Sequence, residues 1–123
     1  MRKFLYVKVY PGQLVARVIG SPREFTVECP ELVHPRSLIG SFEVLTKALG
    51  KVVAESRAVR LLIIKPKLLI HLIPKVEGDY TQPELRACRQ AALGAGFMSV
   101  LVCGSQYGPL SDQELEQFRP YSA

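Results

Sequence analysis

The sequence predicts an α/β fold: a five-stranded mixed sheet with helices packed on it and a short C-terminal helix. Three features lead there. Short β-type runs near the start are separated by Pro-Gly and Gly-Ser-Pro turn signals. The apolar period then changes from two to about 3.6. Further apolar runs alternate with amphipathic segments, as strand–helix–strand crossovers require.

Phe4 to Tyr10 reads as a strand through Phe4, Leu5, Tyr6, Val7 and Val9, and Pro11-Gly12 supplies the turn after it. Gln13 to Ile19 follows, ended by Gly20-Ser21-Pro22. Phe25, Val27 and Cys29 alternate with Thr26 and Glu28, the period of a half-buried strand. Strands joined by such tight turns form an antiparallel meander. Pro30 and Pro35 bracket a loop, beyond which Leu38, Phe42, Leu45, Leu49 and Val52 make one helical stripe. Glu43, Lys47, Lys51 and Glu55 lie off it, and Ser41 and Ser37 compete as N-cap. Gly50 costs that helix up to ~1 kcal/mol relative to alanine, so a close neighbour is expected to need its space.

Leu61 to Ile64 and Leu68 to Ile73 are apolar runs split by Lys65-Pro66-Lys67. Proline cannot donate to a ladder, so Leu68 to Ile73 is taken as the internal strand, and its near-continuous apolarity predicts burial on both faces. Pro74 to Tyr80 is a polar loop. Thr81-Gln82-Pro83-Glu84 is a T-x-x-E capping box with proline in the first turn. Leu85, Cys88, Ala91 and Ala92 form a narrow, mostly small stripe suited to close packing on a sheet, and Gly94 and Gly96 stop the helix. Met98 to Cys103 is the last strand. Ser111-Asp112-Gln113-Glu114 repeats the capping-box logic and opens the short helix. The resulting β-β-β-α-β-α-β order is the ribonuclease H-like order.

The 123 residues fit one domain, 1-123, with 48% hydrophobic and 22% charged residues, a globular composition. Cys29, Cys88 and Cys103 are odd in number and widely spaced, which argues against a disulfide framework and a structural zinc site. Each reads as a small buried hydrophobe. The two histidines that could partner a reactive thiol, His34 and His71, have no recognisable motif around them. Met1-Arg2-Lys3 is not followed by a signal-type apolar stretch, because Lys8 interrupts it. The most apolar run, Leu61 to Pro74, is broken by charge and proline and falls short of the ~20 residues of a membrane span. A cytoplasmic protein without a membrane span is the expectation. The net charge of +5 is spread over Arg17, Arg23, Arg36, Lys47, Lys51, Arg57 and Arg60 without interleaved aromatics, so nucleic acid is not an expected partner.

Motifs for chemistry are weak. Glu28 is an isolated strand carboxylate, and neither the first strand nor Leu68 to Ile73 contains an acid, so a two-metal nuclease site lacks its ligands. Gly104-Ser105-Gln106-Tyr107-Gly108 has its serine one place early for a nucleophile elbow and reads as a turn. Gly94-Ala95-Gly96 reads as a helix stop, and Glu77, Asp79 and Glu84 as cap and solvated charge. The residues therefore point to no catalytic, cofactor-binding or metal-binding position, and to no cofactor.

The stretch from Ser41 to Val102 resembles the MreB family of bacterial actins. Gly40-Ser41-Phe42-Glu43-Val44 is similar to the family's A-D-F-E-V-T helix start. Lys65-Pro66-Lys67-Leu68-Leu69-Ile70-His71-Leu72-Ile73-Pro74 is similar to its R-P-R-V-V-I-S-V-P strand. Glu84-Leu85-Arg86-Ala87-Cys88-Arg89-Gln90-Ala91-Ala92-Leu93-Gly94-Ala95-Gly96 resembles E-R-R-A-I-R-E-S-A-L-G-A-G, and Val100-Leu101-Val102 follows as the next strand. The resemblance implies subdomain IA of the actin fold, in which ATP lies between two ribonuclease H-like domains, each with a phosphate-binding hairpin. This chain departs from that pattern. Where the first hairpin carries D-x-G-T, it reads Val9-Tyr10-Pro11-Gly12-Gln13-Leu14, without aspartate and with one donor removed by Pro11. (In a second register Leu5-Tyr6-Val7-Lys8 aligns with the strand after that loop, which is then missing.) Cys103-Gly104-Ser105-Gln106-Tyr107-Gly108-Pro109 stands in place of E-E-P, and no second such domain follows in these 123 residues.

Actin-type ATP hydrolysis is accordingly not expected. The reading favoured is a non-catalytic interaction module that binds a bacterial actin or another cytoskeletal or envelope-assembly protein, or self-associates as a homo-oligomer. The alternative is a small-ligand binder or enzyme using the loops Val76–Tyr80 and Gly104–Leu110, at the carboxyl ends of strands.

Overall fold

The computed structural model describes residues 4–18, 24–30, 42–58, 67–73, 80–97, 99–104 and 108–117. In chain order these form β1 (Phe4–Tyr10), β2 (Gln13–Val18), β3 (Glu24–Glu28), α1 (Phe42–Ala58), β4 (Lys67–Leu72), α2 (Gln82–Gly94), β5 (Ser99–Cys103) and α3 (Asp112–Gln117). The sheet runs β3-β2-β1-β4-β5. The first three strands pair antiparallel, while β1–β4 and β4–β5 pair parallel. The mixed α/β class and the element order are those the sequence predicts. Leu38, the competing caps Ser37 and Ser41, His34, the run Leu61 to Ile64, and the loops at 74–79 and 105–107 lie outside the described residues.

A two-residue turn joins β1 to β2, so that Tyr10 and Gln13 face each other across the pair. Gly12 takes a φ of 81°, which an L side chain resists, and its carbonyl accepts a 2.8 Å bond from the N–H of Cys29, just past β3. β4 begins one residue earlier than expected, at Lys67, yet the N–H of Ile73 still donates to Val9 O at 3.3 Å and carries the β1–β4 pairing one step further.

Strand alternation divides the side chains between two layers. On the first face Leu5, Val7 and Val9 of β1 join Leu14 and Ala16 of β2 and Leu68, Ile70 and Leu72 of β4. Leu45, Leu49 and Val52, the predicted stripe of α1, are fully buried against them. Cys88, Ala91 and Ala92 of α2 are buried in the same core, where small side chains let the helix approach the strands closely. The Thr81 hydroxyl accepts from the N–H of Glu84, and the Glu84 carboxylate accepts from the N–H of Thr81 at 2.7 Å. Glu84 is only 2% exposed, so it is a buried capping acid and not the solvated charge expected of it. α2 stops at Gly94, and Gly96 follows at a φ of 106°. Among the described residues no helix is long and apolar enough to cross a membrane.

Gly50 corrects an expectation. A Cβ built there meets nothing within 4 Å among the described residues, so no close neighbour needs its space. Gly50→Ala should therefore raise unfolding stability by about 0.5–1 kcal/mol through helix propensity and a less free unfolded chain. Gly12→Ala should lower it by roughly 1–2 kcal/mol, because φ stays left-handed. Urea unfolding of the two variants checks both signs; a destabilised Gly50→Ala protein would contradict the placement of α1.

Candidate functional site

The second face of the sheet is built differently from the first. The registers set Glu24, Arg17, Tyr6 and Leu69 along one rung and Val15, Lys8, His71 and Cys103 along the next. All five strands therefore bring a polar or ionisable side chain to this face. The segment Gly108 to Ser111 and the helix α3 lie over its β1–β4–β5 side. Leu110 and Leu115 pack there with Tyr6, Leu69 and Cys103 in a small core separate from the first. α3 opens with the expected capping box: Ser111 N–H donates to the Glu114 carboxylate at 3.0 Å, and Glu114 N–H donates to the Ser111 hydroxyl at 3.2 Å.

Tyr6 is the hub. Its hydroxyl lies 2.7 Å from Nδ1 of His71 and accepts the N–H of Leu110 at 3.0 Å. The Arg17 guanidinium donates to the carbonyl of that same Leu110 at 3.1 Å, and its Cζ stands 5.4 Å from the centre of the Tyr6 ring. Both backbone groups of Leu110 are thus held by side chains of neighbouring strands. Glu24 accepts from Lys8 Nζ at 3.1 Å and faces Arg17 at 3.5 Å. Glu24 is 42% exposed, so solvent screens these two ion pairs and they position Arg17 more than they stabilise the fold.

Tyrosine, histidine, cysteine and two cations are residue types that carry acid–base and nucleophilic chemistry, so their chemical state matters. Burial pushes the Tyr6 phenol up to about 12, against a smaller lowering by the Leu110 N–H, and the hydroxyl keeps its proton at neutral pH. It is a hydrogen-bonding group and not a phenolate base. Tyr6 and His71 are completely buried, and the Cys103 thiol, also buried, donates to the Gly104 carbonyl at 3.6 Å. In this arrangement a substrate has no approach to any of the three. What the cluster does is fasten the 108–117 segment to the sheet.

The positions weighed from sequence fall elsewhere. Glu28 is exposed on β3, and Gly94-Ala95-Gly96 ends α2. Of the two candidate ligand loops, Tyr80 and Leu110 are buried in apolar clusters, whereas Gly108 and Pro109 are exposed. Among the described residues no three His, Cys, Asp or Glu side chains gather as a metal site would need. Cys29, Cys88 and Cys103 are buried, and none is in a disulfide. Burial first, and the neighbouring Glu84 second, push the Cys88 thiol up to about 12. The sequence missed Tyr6 and His71 as a pair. The signal available was a polar tip in each of two otherwise apolar strands.

Compared with models of known protein families the chain matches none, and no curated protein is found to match it.

Removing the Tyr6 hydroxyl leaves the Leu110 N–H and His71 Nδ1 to find other partners. Tyr6→Phe should therefore cost about 1–3 kcal/mol, read as a lower urea midpoint at unchanged slope. The raised phenol adds a sign. Stability tied to it is complete below the ordinary value of 10 and is lost as pH rises towards 12, and Tyr6→Phe should remove that alkaline loss. Separately, an aromatic disulfide reagent should find no fast-reacting thiol in the native protein and all three after unfolding. One native thiol reacting at the rate of a free peptide would contradict the burial of that cysteine.

Proposed function

We propose that the chain is a non-catalytic interaction module, similar to one subdomain of a bacterial actin, that binds a cytoskeletal or cell-shape protein or a second copy of itself. The observation that carries this reading is the β1–β2 turn. Under the resemblance, the hairpin where an actin-like half-site would approach phosphate corresponds to the two-residue turn Pro11-Gly12 between β1 and β2. Pro11 offers no N–H, the Gly12 carbonyl is spent on Cys29, and no carboxylate stands on β1 to handle a metal. Among the described side chains, the ionisable residues of β1 and β4 that face the second layer are Tyr6, Lys8, Tyr10 and His71, and none of them is a carboxylate that could hold a divalent cation.

The sheet edges support the same reading. At one edge β3 carries exposed Glu24 and Glu28, charges of the kind that discourage strand addition. At the other, β5 (Ser99–Cys103) has no charged residue, and its Leu101 and Val102 are only half-buried. β5 is the edge better suited to accept a partner strand.

The test is sedimentation of the purified chain with assembled filaments of an MreB-type actin, alongside light-scattering mass over a concentration series. Co-pelleting, or a dimer that grows with concentration, is the expected result. A chain that remains monomeric and in the supernatant, or that turns over ATP tightly and with magnesium, sinks the proposal.

A further inference from the structure

We propose that His71 is a pH-sensitive latch: with a neutral imidazole it holds the 108–117 segment on the second face of the sheet, and charging the ring releases that segment. The inference rests on the direction of three hydrogen bonds. The Tyr6 oxygen already accepts from the N–H of Leu110, so its single proton is left for Nδ1 of His71, 2.7 Å away. That assigns Nδ1 as a bare acceptor and puts the ring proton on Nε2. Protonation adds a hydrogen to Nδ1 and turns the acceptor into a donor. The phenol oxygen would then accept from both the Leu110 N–H and His71 Nδ1–H, while its own proton, buried, has lost the one acceptor it has among the described residues.

Charge points the same way. Among the described side chains, on this face stand Tyr6, Lys8 and Tyr10 from β1, Arg17 from β2, Glu24 and the exposed Glu28 from β3 and Cys103 from β5, with Glu114 on α3 above. Two of these are cations within 6.0 Å of the Tyr6 ring centre, and their shared carboxylate, Glu24, is already paired to both. Among the described residues, an imidazolium would add a third positive charge to this face, on a fully buried ring. The consequence stays local because the two cores are separate: Leu110 and Leu115 belong to the small cluster with Tyr6, and none of the α1 or α2 residues does. The α3 cap is not the sensor. Its Glu114 carboxyl is held below the ordinary range by the Ser111 N–H first and the Ser111 side chain second, so it stays charged while a histidine titrates. The latch is therefore present at neutral pH and lost as pH falls.

The experiment is amide hydrogen exchange of the purified chain by NMR at about pH 7.5 and about pH 5, which bracket an ordinary imidazole, with rates referenced to intrinsic exchange. Protection of the Leu110 amide, and of the Leu115 amide that donates to Ser111 O, should fall about tenfold at the lower pH, while Val7 and Ala16 in the main sheet keep theirs. His71→Asn offers an acceptor oxygen that cannot take a proton, and should abolish the pH step while keeping Leu110 protected. Should that variant fail to fold, the imidazole ¹⁵N signals of the native protein give the answer: Nδ1 bare at pH 7.5 and titrating in step with Leu110 exchange. Equal protection at both pH values, a step that survives in His71→Asn, or an Nδ1 already protonated at pH 7.5 overturns the proposal.

Discussion

The constraint on which this molecule turns is that β1 and β4, at the middle of the sheet, are buried on both sides. Leu68, Leu69, Ile70, His71 and Leu72 are all at or below 2% exposure, so a polar atom on β4 has no water to fall back on. Helices α1 and α2 cover the first face mainly with apolar side chains. The second face carries Tyr6 and His71, and burying them requires that each hydroxyl and ring nitrogen meet a partner. The 108–117 segment does more than cover apolar surface: its Leu110 N–H is one of the partners that let Tyr6 be buried. Remove that segment and the hub loses its donor.

This division of labour separates stability from attachment. Among the described residues, the first core gathers most of the buried aliphatic side chains. The second core contains five buried residues and depends on polar contacts for its geometry. Hydrogen bonds in a dry site are specific in direction, which is why a small chemical change at one ring nitrogen has a defined structural meaning there and would have little on the first face.

Much of the architecture was legible because it is written in local patterns. The Thr81-x-x-Glu84 and Ser111-x-x-Glu114 boxes, the Pro11-Gly12 turn and the Leu45–Leu49–Val52 stripe each involve residues a few positions apart, and each forms as read. The Tyr6–His71 pair was not legible. Its members stand 65 positions apart and meet only because β1 and β4 pair in parallel with Lys8 opposite His71. Tyr6 counted as one more apolar strand residue and His71 as a histidine without a motif. Gly50 misled for a different reason: its helix cost is a local property, but the inference of a close neighbour was tertiary, and open space lies there instead. Glu84 was read correctly as a cap and wrongly as solvated, since burial is decided by what the helix packs against.

The dual pairing of β1 has a consequence for how the chain acquires its structure. On one side β1 meets β2 across a two-residue turn, a contact between immediate neighbours in sequence that closes at small entropic cost. On the other it meets β4, with Leu5 beside Leu68, and that contact must wait for a long loop to close. Contact locality favours forming the meander of β1, β2 and β3 before β4 docks. Until it happens, β1 presents an open flank of unpaired N–H and C=O groups, the species in which this chain is most exposed to wrong partners.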